Sequence, residues 1–414
     1  MHLARFLARF GYRQIENLAK VALGKPLTTP SLVSTTLDED DVWLARAWLK
    51  RIGDWYRSGE IEQYHAAFAA WNGSTYAFSF MGGRVALSAA IHALGLEPGD
   101  EVVLPGYTCV VVPNAFHYAG VKTVYSDIEL ETYGLDVSQV ETKITPRTKA
   151  IFLHHLYGLV CRDYEAIISI ARRHNLYVIE DCAQSTGAEY KGKKVGNWGD
   201  VAIYSSEHSK VFNTVQGGIV VANDDVLARK IQEFYDQAAF PEEAWIDKQL
   251  FNLILDYYRF KHPQRWWRGD WVRHHYRDKI LISTTKQEEQ GVRPAHYGRK
   301  MPAAIAAIGL NQLKKIDYYN ELRRQTARRW DRWCEASGYR KPLVVDQSVP
   351  VYLRYPVLVE PEKKQDLSWA LRELGVWPGV WFVSNIHPAH WTVTGCPNAD
   401  QAVKRCINLP GMVI

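Results

Sequence analysis

Between residues 76 and 224 the chain alternates short, continuously apolar runs with longer stretches whose apolar positions recur at helical spacing. The runs Glu101–Leu104, Lys122–Ser126, Ala150–Leu156, Tyr177–Ile179, Asp200–Tyr204 and Gly218–Ala222 predict strands. Arg84–Leu94, closed by Gly95, and Asp163–His174, opened by an acidic residue, predict helices. Strands without polar alternation are buried on both faces, so the pattern predicts a mainly parallel sheet covered by helices on each side. Further helices are predicted over 38–58, opened by an acidic Asp-Glu-Asp-Asp run, and over 60–72, 225–235, Met301–Asp317 and Tyr318–Ala336. Residues 340–414 read as a small α+β domain with strands near Val351–Leu358 and Val376–Phe382. At the start, Leu3, Phe6, Leu7 and Phe10 share one face of an amphipathic helix over 1–25, interleaved with Arg5, Arg9 and Arg13. The expected organisation is this helix and a linker over 1–37, a large domain over 38–317, and a smaller C-terminal domain over 318–414.

Composition narrows the class. Of 414 residues, 47% are hydrophobic and 23% charged, as in ordinary globular proteins. No apolar run approaches the roughly 18 residues needed to span a bilayer. The opening residues do not form a secretion signal, so a cytoplasmic setting is expected. The six cysteines (109, 161, 182, 334, 396 and 406) form no CxxC pair, so no metal site is expected. A net charge of +5 does not argue for nucleic acid. The segment 240–295 is unusual: Trp266, Trp267, Arg268, Trp271, Arg273, His274, His275, Tyr276 and Arg277 mix rings with cations. Such mixtures suit a membrane interface, which predicts peripheral contact through 1–25 and 260–280. A nucleotide or lipid-linked sugar diphosphate site, a subunit interface, or a packed surface insert are the other readings.

In an open α/β sheet, ligands sit at the carboxyl ends of the strands. Asp181 ends the strand Tyr-Val-Ile-Glu-Asp, Ser205 ends Val-Ala-Ile-Tyr-Ser, Tyr107 and Thr108 follow Val-Val-Leu-Pro, and Gly82-Gly83 opens the helix from Arg84. This set meets the requirements of pyridoxal 5'-phosphate. The phosphate needs backbone amides at a helix N-terminus with small residues nearby, which Gly83 and Arg84 offer and Ser205 supplements. The ring nitrogen needs a buried carboxylate, for which Asp181 is the candidate. A lysine of lowered basicity must bond to the cofactor and then move a proton, and Lys210, in Ser-Ser-Glu-His-Ser-Lys, is the candidate. Taken singly these are a turn-forming Asp, a tight Gly-Gly turn and one basic residue among 50. Their order and spacing give them weight together.

The run Val178-Ile-Glu-Asp-Cys-Ala-Gln-Ser-Thr-Gly-Ala followed by Lys210 carries a family resemblance. So do Gly99-Asp-Glu-Val-Val-Leu-Pro, His155-Leu-Tyr-Gly, Gly217-Gly218 and Ala303-Ala-Ile-Ala-Ala-Ile-Gly-Leu-Asn-Gln-Leu. Residues 38–330 resemble the DegT/DnrJ/EryC1/StrS family of pyridoxal-phosphate-dependent sugar aminotransferases. The resemblance implies a type I, aspartate aminotransferase-like α/β fold with a large mainly parallel sheet domain and a smaller C-terminal α+β domain. It implies Lys210 as Schiff-base lysine, Asp181 at the ring nitrogen, Gln184 near the 3-hydroxyl, Ser205 at the phosphate, and Gly83 and Arg84 as amide donors. It also implies a homodimer with shared active sites, glutamate as amino donor and a nucleotide-linked keto sugar as acceptor.

Departures from the family pattern concern the surroundings of the ring. Arg84 replaces a small hydroxyl residue, so its side chain is a candidate for contact with the phosphate or an acidic substrate. Cys109 replaces a stacking aromatic, with Tyr107 as a candidate substitute. Gly298 and Lys300 replace an asparagine that reaches the neighbouring subunit and an arginine. The chain is expected to lack the last helix of its relatives after Asn408-Leu-Pro-Gly. His154, His155, His208 and His387 are candidates for substrate contact, with a structural role as the alternative. Two other functions stay open at this point: a same-fold enzyme on a non-sugar substrate, or a catalytically idle binding or regulatory relative. The family's dehydratase branch carries histidine at the lysine position, so Lys210 argues against that branch.

Overall fold

The computed structural model describes residues 36–56, 59–261, 281 and 284–413. The expected amphipathic helix over 1–25 and the basic-aromatic stretch over 262–280 lie outside them. Seven strands form the central sheet: β1 (Tyr76–Phe80), β2 (Glu101–Pro105), β3 (Lys122–Ser126), β4 (Thr148–His154), β5 (Tyr177–Asp181), β6 (Val201–Ser205) and β7 (Gly218–Ala222), in spatial order β1-β7-β6-β5-β4-β2-β3. β7 is antiparallel to both neighbours, and all other pairs are parallel. Ala150, Ile151, Phe152 and Leu153 of β4 are fully buried in succession, as a strand covered on both faces requires. Helices Gly83–Ala93 and Tyr164–Arg173 fall where the apolar spacing places them.

A second core joins the C-terminal part to the large domain. Trp330, Tyr355, Trp369, Phe382 and Leu409 pack there with Tyr107, Tyr133 and Tyr157. Arg354–Leu358 pairs antiparallel with Cys406–Pro410. The strand expected over Val376–Phe382 does not form: only Gly379 bridges to Asn408, and Pro378, lacking an amide donor, interrupts the run. The helix Ile316–Ser337 runs unbroken through the expected boundary at 317/318, so one rod serves both cores. Residues Ile386–His387 pair in parallel with Thr108–Cys109, tying the small domain to the carboxyl end of β2. Within the unusual segment, Glu243–Asp256 is a helix with Ile246, Leu250 and Leu253 buried.

Candidate active site

The carboxyl ends of β4, β5 and β6 and the first turn of helix Gly83–Ala93 face a cavity of about 990 Å³. That size accommodates a cofactor together with a substantial substrate. Gly218 fixes one wall by its lack of a side chain: a Cβ there would lie 2.3 Å from Gly82 C and Gly83 N. β7 can therefore pass directly against the turn that opens the helix. A Cβ on Gly83 would meet Ser205 Cβ at 3.3 Å, which places the Ser205 hydroxyl beside the same turn. The amides of Val85 and Ala86 bond back to Gly82 O at 3.0 and 3.1 Å, and Gly83 and Arg84 carry the amides that precede them. Together these groups form an anion cradle of amides, a hydroxyl and a helix N-terminus.

Lys210 lies on the loop after β6, between two anchored carbonyls. Arg354 donates to Ser209 O at 3.1 Å, and Arg323 donates to Val211 O at 2.6 Å. Both arginines are buried, and they come from the small domain and the long helix. The Lys210 ammonium lies 4.9 Å from the Trp381 ring centroid, and the Arg354 guanidinium 4.4 Å from the same centroid. Burial pushes the Lys210 pKa down; Glu207, Cys109 and Asp181 oppose that shift and Arg354 adds to it. Asp181 closes β5 and accepts one bond from the Ala183 amide at 2.9 Å. Burial pushes its pKa up, against the pull of that amide, Lys210 and His155. The pair is coupled in charge and incompletely compensated, as functional sites often are.

The other expected residues divide. Gln184 lines the cavity, and its carbonyl oxygen accepts from the Tyr157 amide at 2.9 Å, leaving the NH₂ group as the remaining donor. Arg84 lines the cavity with its guanidinium ion-paired to Glu288, so the charge is already partly balanced within the chain. His387 lines the cavity and its ring nitrogen Nδ1 accepts from the Val383 amide at 3.3 Å; burial lowers its pKa to about 4. His154 and His155 border the cavity but serve the fold. His154 Nε2 meets Tyr133 O at 2.7 Å, and His155 meets the Cys161 amide at 3.1 Å through Nδ1 and Glu180 at 3.3 Å through Nε2. With both nitrogens engaged, His155 is not placed as the expected substrate contact. Tyr107 is also displaced from its expected role at the cofactor. It is fully buried, its hydroxyl is 3.0 Å from that of Tyr157, and its ring packs 4.4 Å from Phe382 in the second core. Cys109 does line the cavity, in electrostatic reach of Lys210, Asp181 and Arg84. Lys300 stacks on Phe240 at 4.7 Å and Tyr235 at 5.2 Å.

Several lining residues were not singled out from the sequence. Glu207 lies just before the lysine, inside the very motif that marks it, and next to His208, an expected substrate contact that does line the cavity. Trp381 and Phe382 come from the C-terminal part, with no local signal, and Arg354, which donates to Ser209 O, reaches the Lys210 loop from 145 positions away without lining the cavity. Trp245 and His296, with rings 5.6 Å apart, form the outer wall beside Lys248 and Arg299. Trp245 is oriented by an indole bond to Gln216 Oε1 at 3.0 Å.

Comparison with known proteins bears on this geometry. The model of the DegT/DnrJ/EryC1/StrS aminotransferase family matches residues 37–256 and 271–413. The GDP-perosamine synthase of Escherichia coli O157:H7 is 38% identical over 231 residues, which is 56% of this chain and 62% of that protein. That of Caulobacter vibrioides is 40% identical over 209 residues, 50% of this chain and 55% of that protein. The matched segments thus span less than two thirds of those relatives. The UDP-2-acetamido-2-deoxy-3-oxo-D-glucuronate aminotransferase of Pseudomonas aeruginosa is 30% identical over 364 residues, covering 87% of this chain and 88% of that protein. The fold is shared with the aminotransferase TlmJ from Streptoalloteichus hindustanus, at a TM-score of 0.70 and 22% identity over 93% of both chains. On its sequence, its sheet order and the residues gathered at the strand ends, this chain belongs to the DegT/DnrJ/EryC1/StrS aminotransferase family.

Proposed function

We propose that this protein is a pyridoxal-phosphate-dependent aminotransferase that moves an amino group from an amino acid, glutamate first among candidates, to the keto group of a nucleotide-linked sugar. The observation that carries the reading is the convergence of Lys210, Asp181, Ser205 and the Gly82-Gly83 helix turn on one cavity. The residues fit the cofactor. The glycine cradle leaves room that a Cβ would fill, and a partly compensated carboxylate and a lysine of lowered basicity face the same space. When bound, pyridoxal phosphate supplies a carbonyl that an amine can join and a ring that takes up electrons from the reacting carbon.

The chain's own residues do the rest. Burial favours the neutral Lys210 amine, the form with a lone pair. Asp181 would hold a proton at the ring nitrogen by facing it with negative charge. Ser205 Oγ and the amides of Gly83 and Arg84 would hold the phosphate, and the Gln184 NH₂ group would orient the ring edge. Trp381 lines the same cavity beside Lys210 and would supply an aromatic surface that Cys109 does not offer. Lys210 Nζ would take the proton from the donor's α-carbon in one half of a ping-pong cycle and deliver a proton to the acceptor carbon that gains the amine in the other. The outer wall of Trp245, His296, Lys248 and Arg299 suits the base and diphosphate of a nucleotide. The relatives named for GDP- and UDP-linked sugars support that acceptor class.

The test is spectroscopic. The visible band of the holoenzyme should bleach on adding L-glutamate and return on adding a nucleotide-linked keto sugar; a band unmoved by any amino donor would count against the reading. A homodimer with shared active sites is part of the proposal, checked by light scattering. Among the described residues no helix is long and apolar enough to cross a membrane. The peripheral contact proposed for 1–25 and 260–280 is checked by co-sedimentation with anionic liposomes, where an unchanged soluble fraction would remove it.

A further inference from the structure

Among the described residues, two N–H groups beside Lys210 have no acceptor. They belong to Trp381 and His387, which both line the cavity with ring centroids 6.3 Å apart. The Lys210 ammonium lies 4.9 Å from the centroid of the Trp381 ring. The Trp381 indole Nε1 is shut off from solvent and no hydrogen bond engages it. An indole N–H can only donate, and a buried donor left without an acceptor counts against stability unless a ligand completes it. His387 Nδ1 accepts from the Val383 amide at 3.3 Å, which places the ring hydrogen on Nε2, and no described residue accepts it. Burial, with the charges of Lys210, Lys364 and His390 nearby, lowers the His387 pKa to about 4, so the ring is neutral at physiological pH. Neither side chain is loosely held. The Trp381 amide donates to Asn408 Oδ1 at 2.8 Å, and Lys364 Nζ donates to Phe382 O at 3.3 Å. The Val110 amide donates to His387 O at 2.7 Å, which ties that residue to the large domain. The small domain thus presents two anchored, uncharged donors beside Lys210.

We propose that the Trp381 indole and the His387 imidazole form one subsite that both substrates use in turn, binding the α-carboxylate of the amino donor and then the hydroxyl next to the keto carbon of the sugar. The inference rests on the aminotransferase reading and deepens it. In a ping-pong cycle the carbon that loses the amine and the carbon that gains it occupy the same point against Lys210. A carboxylate oxygen lies two bonds from the α-carbon. A hydroxyl oxygen on the neighbouring carbon lies two bonds from the keto carbon. Both oxygens therefore fall in the same region of the cavity. Neutral donors suit this exchange. They bond to an anion and to an uncharged hydroxyl alike, whereas a cation in their place would face the sugar as a buried charge without its counterion.

The experiment uses the holoenzyme and follows each half-reaction by itself through cofactor absorbance. L-Glutamate serves in the first, and in the second a panel of GDP- and UDP-linked keto sugars that carry a hydroxyl beside the keto group. His387→Phe keeps a ring and removes the donor. It should raise the half-saturating concentration about 10-fold in both half-reactions, as the loss of one hydrogen bond does, while the rate at saturation stays near wild type. Trp381→Phe should raise both about 5-fold for the same reason. His387→Gln retains an N–H donor and should lose less than His387→Phe, a rescue that a purely structural role would not give. Cofactor uptake by the three variants, read by the same absorbance, should match the wild type. A half-saturation that moves in only one half-reaction overturns the shared role. Half-saturation unchanged in both, or a fall confined to the saturated rate, overturns the subsite alone. A wild-type band that no amino donor bleaches, or that no keto sugar of the panel restores, overturns the sugar aminotransferase reading and the subsite with it.

Discussion

Glu101 and Asp181 are carboxylates at opposite edges of one sheet, the first opening β2 and the second closing β5. Glu101 is bonded to Thr145 Oγ at 2.6 Å, to Arg147 at 2.9 Å and to Lys122 at 3.3 Å, and with the Thr145 bond first among the causes its pKa falls to about 2. Asp181 has one backbone amide, and burial drives its pKa the other way. Similar chemistry is fully compensated at the amino edge and left wanting at the carboxyl edge. The difference separates a residue that holds the fold from one proposed to face a positively charged ligand atom. Lys210 belongs to the second kind, since it too is pushed away from its charged form by burial.

The contrast can be broken most sharply at Lys210. Lys210→Arg keeps the charge but removes the reactive amine, and turnover should drop by ~10⁴ or more while far-UV circular dichroism is unchanged. Asp181→Asn should lower kcat by about 10³ by removing the charge held against the ring nitrogen, with a smaller change in KM. Steady-state kinetics with a keto-sugar acceptor check both. Trp245→Ala, on the outer wall, should raise the acceptor KM about 10-fold and leave the glutamate half-reaction alone, in line with the loss of one base-stacking contact. The smallest effect is expected at Glu101. Its folded-state pKa is depressed, so its contribution to stability is present above pH 4.5 and is lost as pH falls toward about 2. Glu101→Gln should flatten the fall of the urea midpoint across that window and leave kcat at neutral pH unchanged. A large loss of activity in Glu101→Gln would erase the distinction between the two edges.

The strands and the inner floor of the site were legible because burial on both faces leaves an unbroken apolar run, and a polar residue at its end has few other uses. Asp181, Ser205 and the Gly82-Gly83 turn are read that way, and Lys210 follows from its spacing to them. The helix Val111–Tyr118 was not, because Pro113 looks like a breaker although it falls in the first turn, where the missing amide costs nothing. The helix Glu243–Asp256 was obscured by the rings and cations around it. Tyr107 misled because adjacence to a strand end does not set direction: its side chain turns into the second core. Arg354, Arg323 and Trp381 reach the Lys210 loop from distant elements, and only the tertiary fold brings them there.

The central claim is that Lys210 is the amine that bonds the cofactor. Incubating the purified protein with pyridoxal phosphate, reducing with borohydride and mapping peptides by mass spectrometry tests it directly. The account predicts one pyridoxyl group per chain, on Lys210. No label, or a label on a different lysine with Lys210 unmodified, would contradict it.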